Sequence, residues 1–210
     1  MVWVFDCDGT LYPDCAEIHN VFVAHLRMYF SKLLQMAEGD VEQERVRLRV
    51  KYSTEFSLIA FHKEYGCDFT ASVAATYGQI DLRQCGVQPL AEIVRRMLVA
   101  LPGTKVVFSN SPKAWVHQVI TYLGVPDVFA ALFGIEEIGF LGKPDASAYA
   151  SVERAYPTGH LVLCDDSATN LDIAHERGWG TVYFNPNGAE GNVKYKHRQI
   201  RSLLELAALP

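Results

Sequence analysis

Apolar and polar positions along this chain fall into two patterns. Four short, largely apolar runs are bounded by turn or polar residues: Val2 to Phe5, Lys105 to Phe108, Leu161 to Cys164 and Gly180 to Phe184. The first three stop immediately before Asp6, Ser109 and Asp165. Runs this short carry no period that separates strand from buried helix. Their bounding residues, and the helical segments between them, mark them as strands of βα units. The second pattern is one-sided. Leu90 to Ala100 keeps Arg95 and Arg96 off its apolar face and ends at Pro102-Gly103. Pro112 to Leu123 carries Pro112 near its first turn and Gly124 as its stop. Asp145 to Tyr156, Ser167 to Arg177 and Ile200 to Ala208 are predicted helices of the same kind. Strands alternating with such helices predict an α/β core, a Rossmann-like, doubly wound parallel sheet.

The stretch from Asp14 to Gly86 breaks the alternation. Glu17 to Met36 and Val41 to Lys63 are predicted helical, with turns at Glu38-Gly39-Asp40 and Tyr65-Gly66-Cys67-Asp68 and no strand. The expected organisation is therefore a core of residues 1–13 and 87–210 with an all-helical insert, residues 14–86, after the first strand. Joined to the core at that point, the insert can act as a cap over the strand ends.

Composition narrows the partners. With 210 residues there is room for one large domain or a core plus a small insert. A net charge of −5 argues against a nucleic-acid polymer or an anionic membrane as partner. No apolar stretch approaches the ~20 residues that span a bilayer. The strand-like run beginning at Val2 leaves no leader segment to expect. The five cysteines, Cys7, Cys15, Cys67, Cys85 and Cys164, show no C-x-x-C spacing. An odd, scattered set fits a reducing cytoplasmic compartment better than a disulfide framework.

The chemistry lies at the strand ends. Asp6-Cys7-Asp8-Gly9-Thr10 places two carboxylates one residue apart after the first strand. Such a pair suits a divalent cation, a nucleophile with an acid/base partner, or both; it is also compatible with a capped turn. Phe108-Ser109-Asn110-Ser111-Pro112 presents a hydroxyl and an amide where a helix opens, with Ser109 toward a ligand and Ser111 as the expected N-cap. Gly142-Lys143-Pro144-Asp145 offers one cation beside a backbone stiffened by proline. Cys164-Asp165-Asp166-Ser167, with Asn170 beyond, adds a second acid pair that repels itself unless something positive sits there, and Mg²⁺ would satisfy both pairs. Trp115 is placed to pack or to meet a substrate. His62 and Tyr52 are weaker candidates for substrate contact, and Arg45, Arg47, Arg49 and Lys51 read as a solvated helix face.

An acid pair, a hydroxyl, a lysine and a second acid pair, each after its own strand, resemble the haloacid dehalogenase superfamily of phosphohydrolases over nearly the whole chain, with a type 1 helical cap at the insert. The resemblance implies Asp6 as nucleophile, Asp8 as general acid and base, and Thr10, Ser109, Asn110 and Lys143 around the phosphate. It implies Mg²⁺ held by Asp6, the Asp8 backbone carbonyl, Asp165 and Asp166. Dehalogenases of the superfamily lack the second acid of the first motif, so Asp8 points to phosphoryl transfer. Phe5 to Pro13, the Ser109 segment through Val125, Phe133-Gly134-Ile135-Glu136 and Asp165 to Leu171 resemble the pyrimidine 5′-nucleotidase branch. The expected substrate is then a small phosphorylated metabolite, a nucleoside monophosphate, with a sugar phosphate or phosphoglycolate as the alternative. A phosphoacceptor domain of the response-regulator type is a third possibility, but it is shorter and has no helical insert after its first strand.

Overall fold

Val2–Phe5 forms β1, four β-branched or aromatic residues, all buried. It lies at the centre of a six-stranded sheet together with β2 (Thr104–Phe108), β3 (Ala131–Phe133), β4 (Leu161–Asp165), β5 (Gly180–Phe184) and β6 (Arg198–Ile200). The order is β3-β2-β1-β4-β5-β6 and all five pairings are parallel. This is the expected Rossmann-type α/β fold. The computed structural model describes residues 1–13, 15–188 and 194–209.

By backbone contacts the chain separates into two compact units, Met1–Asp14 with Val87–Pro210, and Cys15–Gly86. Asp14 itself, expected to open the insert, lies outside the described residues. The second unit holds α1 (Ala16–Leu34), α2 (Glu38–Lys51), α3 (Ser57–Tyr65) and α4 (Phe69–Ala75). Its core includes Phe30 stacked on Phe61 at 4.0 Å, with Leu26, Val41 and Leu48 fully buried. In the sheet unit, α5 (Glu92–Ala100), α6 (Lys113–Tyr122), α7 (Ala146–Ala155) and α8 (Ala168–Glu176) join successive strands. Phe108, Tyr149 and Trp179 form an edge-to-face chain beside β2, with centroids 5.1 and 5.4 Å apart. No helix among the described residues is long and apolar enough to cross a membrane.

Several expectations are corrected. The single helix over Val41 to Lys63 is two helices. Ser53 adopts a left-handed conformation (φ 47°) and the Phe56 N–H donates to Thr54 Oγ1, so Ser-Thr chemistry competes with the helix there. Gly39 lies inside the first turn of α2 rather than in a turn before it, with Glu38 and Asp40 complementing the helix dipole. Ile200 to Ala208 is not one helix. Ile200 ends β6, and a 3-10 segment over Leu203–Ala208 follows, opened by a Ser202–Glu205 capping box. The basic residues of α2 are not merely solvated: Arg45 pairs with Glu42, Arg47 with Glu44 and Glu64, Arg49 with Glu55, and Lys51 with Glu64.

Candidate active site

Register places the acids. Phe5 pairs with Cys164 across β1 and β4, so the next residues, Asp6 and Asp165, leave the two strands level with each other. Phe5 also pairs with Val107, which puts Ser109 just beyond the same level on the other side. In this strand order the chain winds away in opposite directions from β1 and β4, and open parallel sheets bind ligands at the carboxyl ends of the strands at such a switch point.

Lys143 joins the two acids. Its Nζ donates to Asp6 Oδ1 at 2.6 Å and to Asp165 Oδ2 at 2.7 Å, with all three side chains buried. The ammonium also lies 5.0 Å from the centre of the Phe108 ring. Burial pushes the Asp6 carboxyl well above its ordinary value; Lys143 pulls it back, and the charges of Asp165 and Asp8 raise it further. Burial alone would lower Lys143, but Asp165 and Asp6 outweigh it and hold the lysine above its usual range. Its backbone is clamped by Asn110: the Lys143 N–H donates to Asn110 Oδ1 at 2.6 Å, and Asn110 Nδ2 donates to the Lys143 carbonyl at 2.9 Å. The amide expected to face a phosphate is thus engaged at both ends in placing the lysine.

Asp165 is saturated. It accepts from the Ser167 N–H at 2.8 Å, from Lys143, and from Asn170 Nδ2 at 3.0 and 3.2 Å. Ser167 caps α8 by accepting from the Asn170 N–H, as its position predicts. Asp6, Asp165 and Asp166 each present a carboxylate oxygen within 4.8 Å of the others. Gly9 (φ +87°) makes room for this: a Cβ there would lie 2.2 Å from Asp166 Oδ2. Three carboxylates against one lysine leave negative charge in excess, and all-oxygen donors suit a hard divalent cation, so the residues present fit Mg²⁺. Among the described residues the buried Thr10 hydroxyl has no hydrogen-bond partner.

Asp8 accepts four hydrogen bonds. Ser109 Oγ (3.1 Å) and Ser111 Oγ (2.8 Å) donate to Oδ2; Trp115 Nε1 (3.1 Å) and the Tyr12 hydroxyl donate to Oδ1. Burial, then the Asp8 charge, raises the Tyr12 phenol far above its ordinary value and keeps it a donor. Ser111 is not the helix cap; Pro112 occupies that position. The sequence pattern points to Ser111 only as a cap, and it singles out neither Tyr12 nor Asn170 for a site role. Only for Trp115, left undecided beside the phosphate loop, was the signal present. Tyr52 donates to Glu64, and His62 Nδ1 lies 2.6 Å from the Cys67 carbonyl. Cys7 and Cys164 are buried in the core, which raises both thiols.

Comparison with known proteins places this arrangement. The family model described as haloacid dehalogenase-like hydrolase matches residues 1–178. A HAD phosphatase from Thermococcus onnurineus superposes with a TM-score of 0.67 at 18% identity, covering 99% of this chain and 96% of that one. A 2-haloacid dehalogenase from Pseudomonas syringae pv. Tomato DC3000 gives 0.68 at 20% identity with the same coverage, 99% and 96%. A HAD-hydrolase from Bacillus subtilis, solved bound to magnesium, gives 0.57 at 17% identity, again covering 99% and 96%. At these identities the likeness is one of fold.

Proposed function

The chain belongs to the haloacid dehalogenase-like hydrolases, and we propose that it is a Mg²⁺-dependent phosphomonoester hydrolase acting through an aspartyl-phosphate, with pyrimidine nucleoside 5′-monophosphates as its substrates. The observation that carries this reading is the meeting of Asp6, Lys143, Asp165 and Asp166 at the carboxyl ends of the central strands, with Asp8 on four donors beside them. Solved dehalogenases and a phosphatase share this fold. Asp8 separates the two chemistries, because displacing an alkoxide from phosphorus needs a proton donor that displacing a halide from carbon does not.

Asp6 attacks phosphorus through a carboxylate oxygen and the bond to the leaving oxygen breaks. Asp8 gives that oxygen its proton, then takes one from the water that hydrolyses the aspartyl-phosphate. Lys143, placed by Asn110, and the Thr10 and Ser109 hydroxyls hold the non-bridging oxygens, and in phosphoryl transfer such positioning supplies most of the rate. Asp6, Asp166 and the Asp8 carbonyl would hold Mg²⁺, with Asp165 orienting Lys143. When bound, the ion offsets repulsion between nucleophile and substrate and the charge of the transition state. In this reading the helical insert, residues 14–86, selects among phosphoesters, and the protein acts in the cytoplasm.

The test is a release assay over UMP, CMP, purine nucleotides, ribose 5-phosphate, phosphoglycolate and 2-chloropropionate, with Mg²⁺ and with EDTA. Phosphate release that favours UMP and CMP and disappears with EDTA is expected. Faster turnover of a sugar phosphate would move the substrate class, and chloride release without phosphate release would overturn the reading. Gly9→Ala should raise the Mg²⁺ concentration for half-maximal rate, because the new methyl displaces Asp166. It should also destabilise the fold by about 1–2 kcal/mol at a left-handed position. Metal titration and denaturant unfolding of the variant check both.

A further inference from the structure

The four donors on Asp8 are of two kinds. Those on Oδ1 come from buried aromatic side chains. Trp115 Nε1–H is a donor only and sits in a ring fixed by the packing of α6; Tyr12 is buried in the loop that follows Asp8. Those on Oδ2 come from the Ser109 and Ser111 hydroxyls, which reorient by turning about one bond. Ser109 Oγ also accepts the Ser111 N–H at 2.9 Å, which keeps its oxygen in place while its proton turns.

We infer that Tyr12 and Trp115 are positioning residues that pin Asp8 through Oδ1, leaving Oδ2 as the oxygen that passes protons to and from the reacting phosphoester. The inference rests on the phosphohydrolase reading and adds two residues to it. Neither touches the phosphoester; each acts by fixing where the Asp8 carboxylate points. A general base misplaced by a fraction of an ångström or by a rotated carboxylate loses much of its effect.

The consequence differs between the two half-reactions, and p-nitrophenyl phosphate separates them. In the first, Asp6 forms its bond to phosphorus and the aryl P–O bond breaks. Nitrophenolate leaves with the electron pair and needs no proton. In the second, the water oxygen bonds to phosphorus and one water proton goes to Asp8 Oδ2. The P–O bond to Asp6 breaks, with its electron pair returning to the carboxylate. Phosphate departs, and Asp8 passes the proton to solvent. Only the second step uses Asp8, so loosening Asp8 slows hydrolysis of the aspartyl-phosphate and spares its formation.

The experiment is rapid acid quench of wild type, Trp115→Phe and Tyr12→Phe turning over p-nitrophenyl phosphate at saturating Mg²⁺, with thermal unfolding of each. Tyr12→Phe keeps the ring and removes the donor, and Trp115→Phe removes the donor while keeping a smaller aromatic ring in a buried position. We expect kcat to fall about tenfold or more, KM to fall with it so that kcat/KM, which reports only formation of the aspartyl-phosphate, changes less than about threefold, and the fraction of enzyme phosphorylated on Asp6 at steady state to rise. A merely structural loss would lower both steps together and leave that fraction where it was, and this result overturns the inference. Should Trp115→Phe not fold, Tyr12→Phe decides alone. If wild type itself releases no phosphate and forms no phosphoenzyme, the hydrolase reading falls, an outcome distinct from a normal wild type with unaffected variants.

Discussion

Asp6→Asn is expected to lower phosphatase turnover by ~10⁴-fold or more while leaving the protein folded, with an unfolding temperature at or above that of wild type when no divalent cation is present. The activity term follows from the proposed role of Asp6 as the nucleophile, which an amide does not fill. The stability term follows from the charges around Asp6. Burial raises its carboxyl first, and Asp165 and Asp8 add to that against the pull of Lys143. A group whose value is higher folded than unfolded holds more protons in the native state between those two values. Stability contributed there is present at lower pH and is lost as pH rises through the folded value. At neutral pH an ionised Asp6 is therefore a cost that a neutral amide does not carry, and the Asn oxygen still accepts from Lys143. The checks are a phosphate-release assay and melting curves over pH for both proteins. Near-full activity in the variant would remove Asp6 as nucleophile. A melting temperature well below wild type would show that the Asp6–Lys143 pair is needed for the fold.

Lys143→Met is the opposite case: it should remove activity and also much of the stability. Met keeps an unbranched side chain of similar length and deletes the charge that lies over the Phe108 ring. Asp6 and Asp165, both buried, then face each other with no cation between them. Breaking a buried ion pair by removing one partner costs about 3–5 kcal/mol, or roughly 6–20 °C in melting temperature for a chain of this size. Adding Asp165→Asn should restore part of that loss without restoring turnover. This separates the electrostatic cause from any packing defect. Unchanged melting in the single variant would mean that the acids shed their charge at little cost, and that the lysine serves the reaction alone.

The two experiments turn on residues that differ in how readable they were. Asp6, Asp8, Asp165 and Asp166 stand out in the chain because each pair directly follows a short apolar run, and a parallel strand has one end at which such residues gather. Ser109 and Lys143 are legible as parts of the same order. By contrast β3 and β6 escape notice because each is three residues long, at an edge of the sheet, and only partly buried. A three-residue strand has no period, and an edge strand needs no continuous apolar run. The division of α2 from α3 was hidden for another reason: Val41 to Lys63 keeps helix-compatible spacing, and the break depends on how Ser53 and Thr54 satisfy local backbone groups.

Local chemistry written in the chain was enough to specify four of the six strands, most helices, the family resemblance and the acids, hydroxyl and lysine at the strand ends. Partners across long separations were decided only by the tertiary structure. Asn110 meets the Lys143 backbone 33 positions away, and Trp115 meets Asp8 across 107. A hydrogen bond depends on where two atoms lie to within a few tenths of an ångström, and strand register and helix packing set that. Residue type announces a donor, and the fold determines which acceptor receives it.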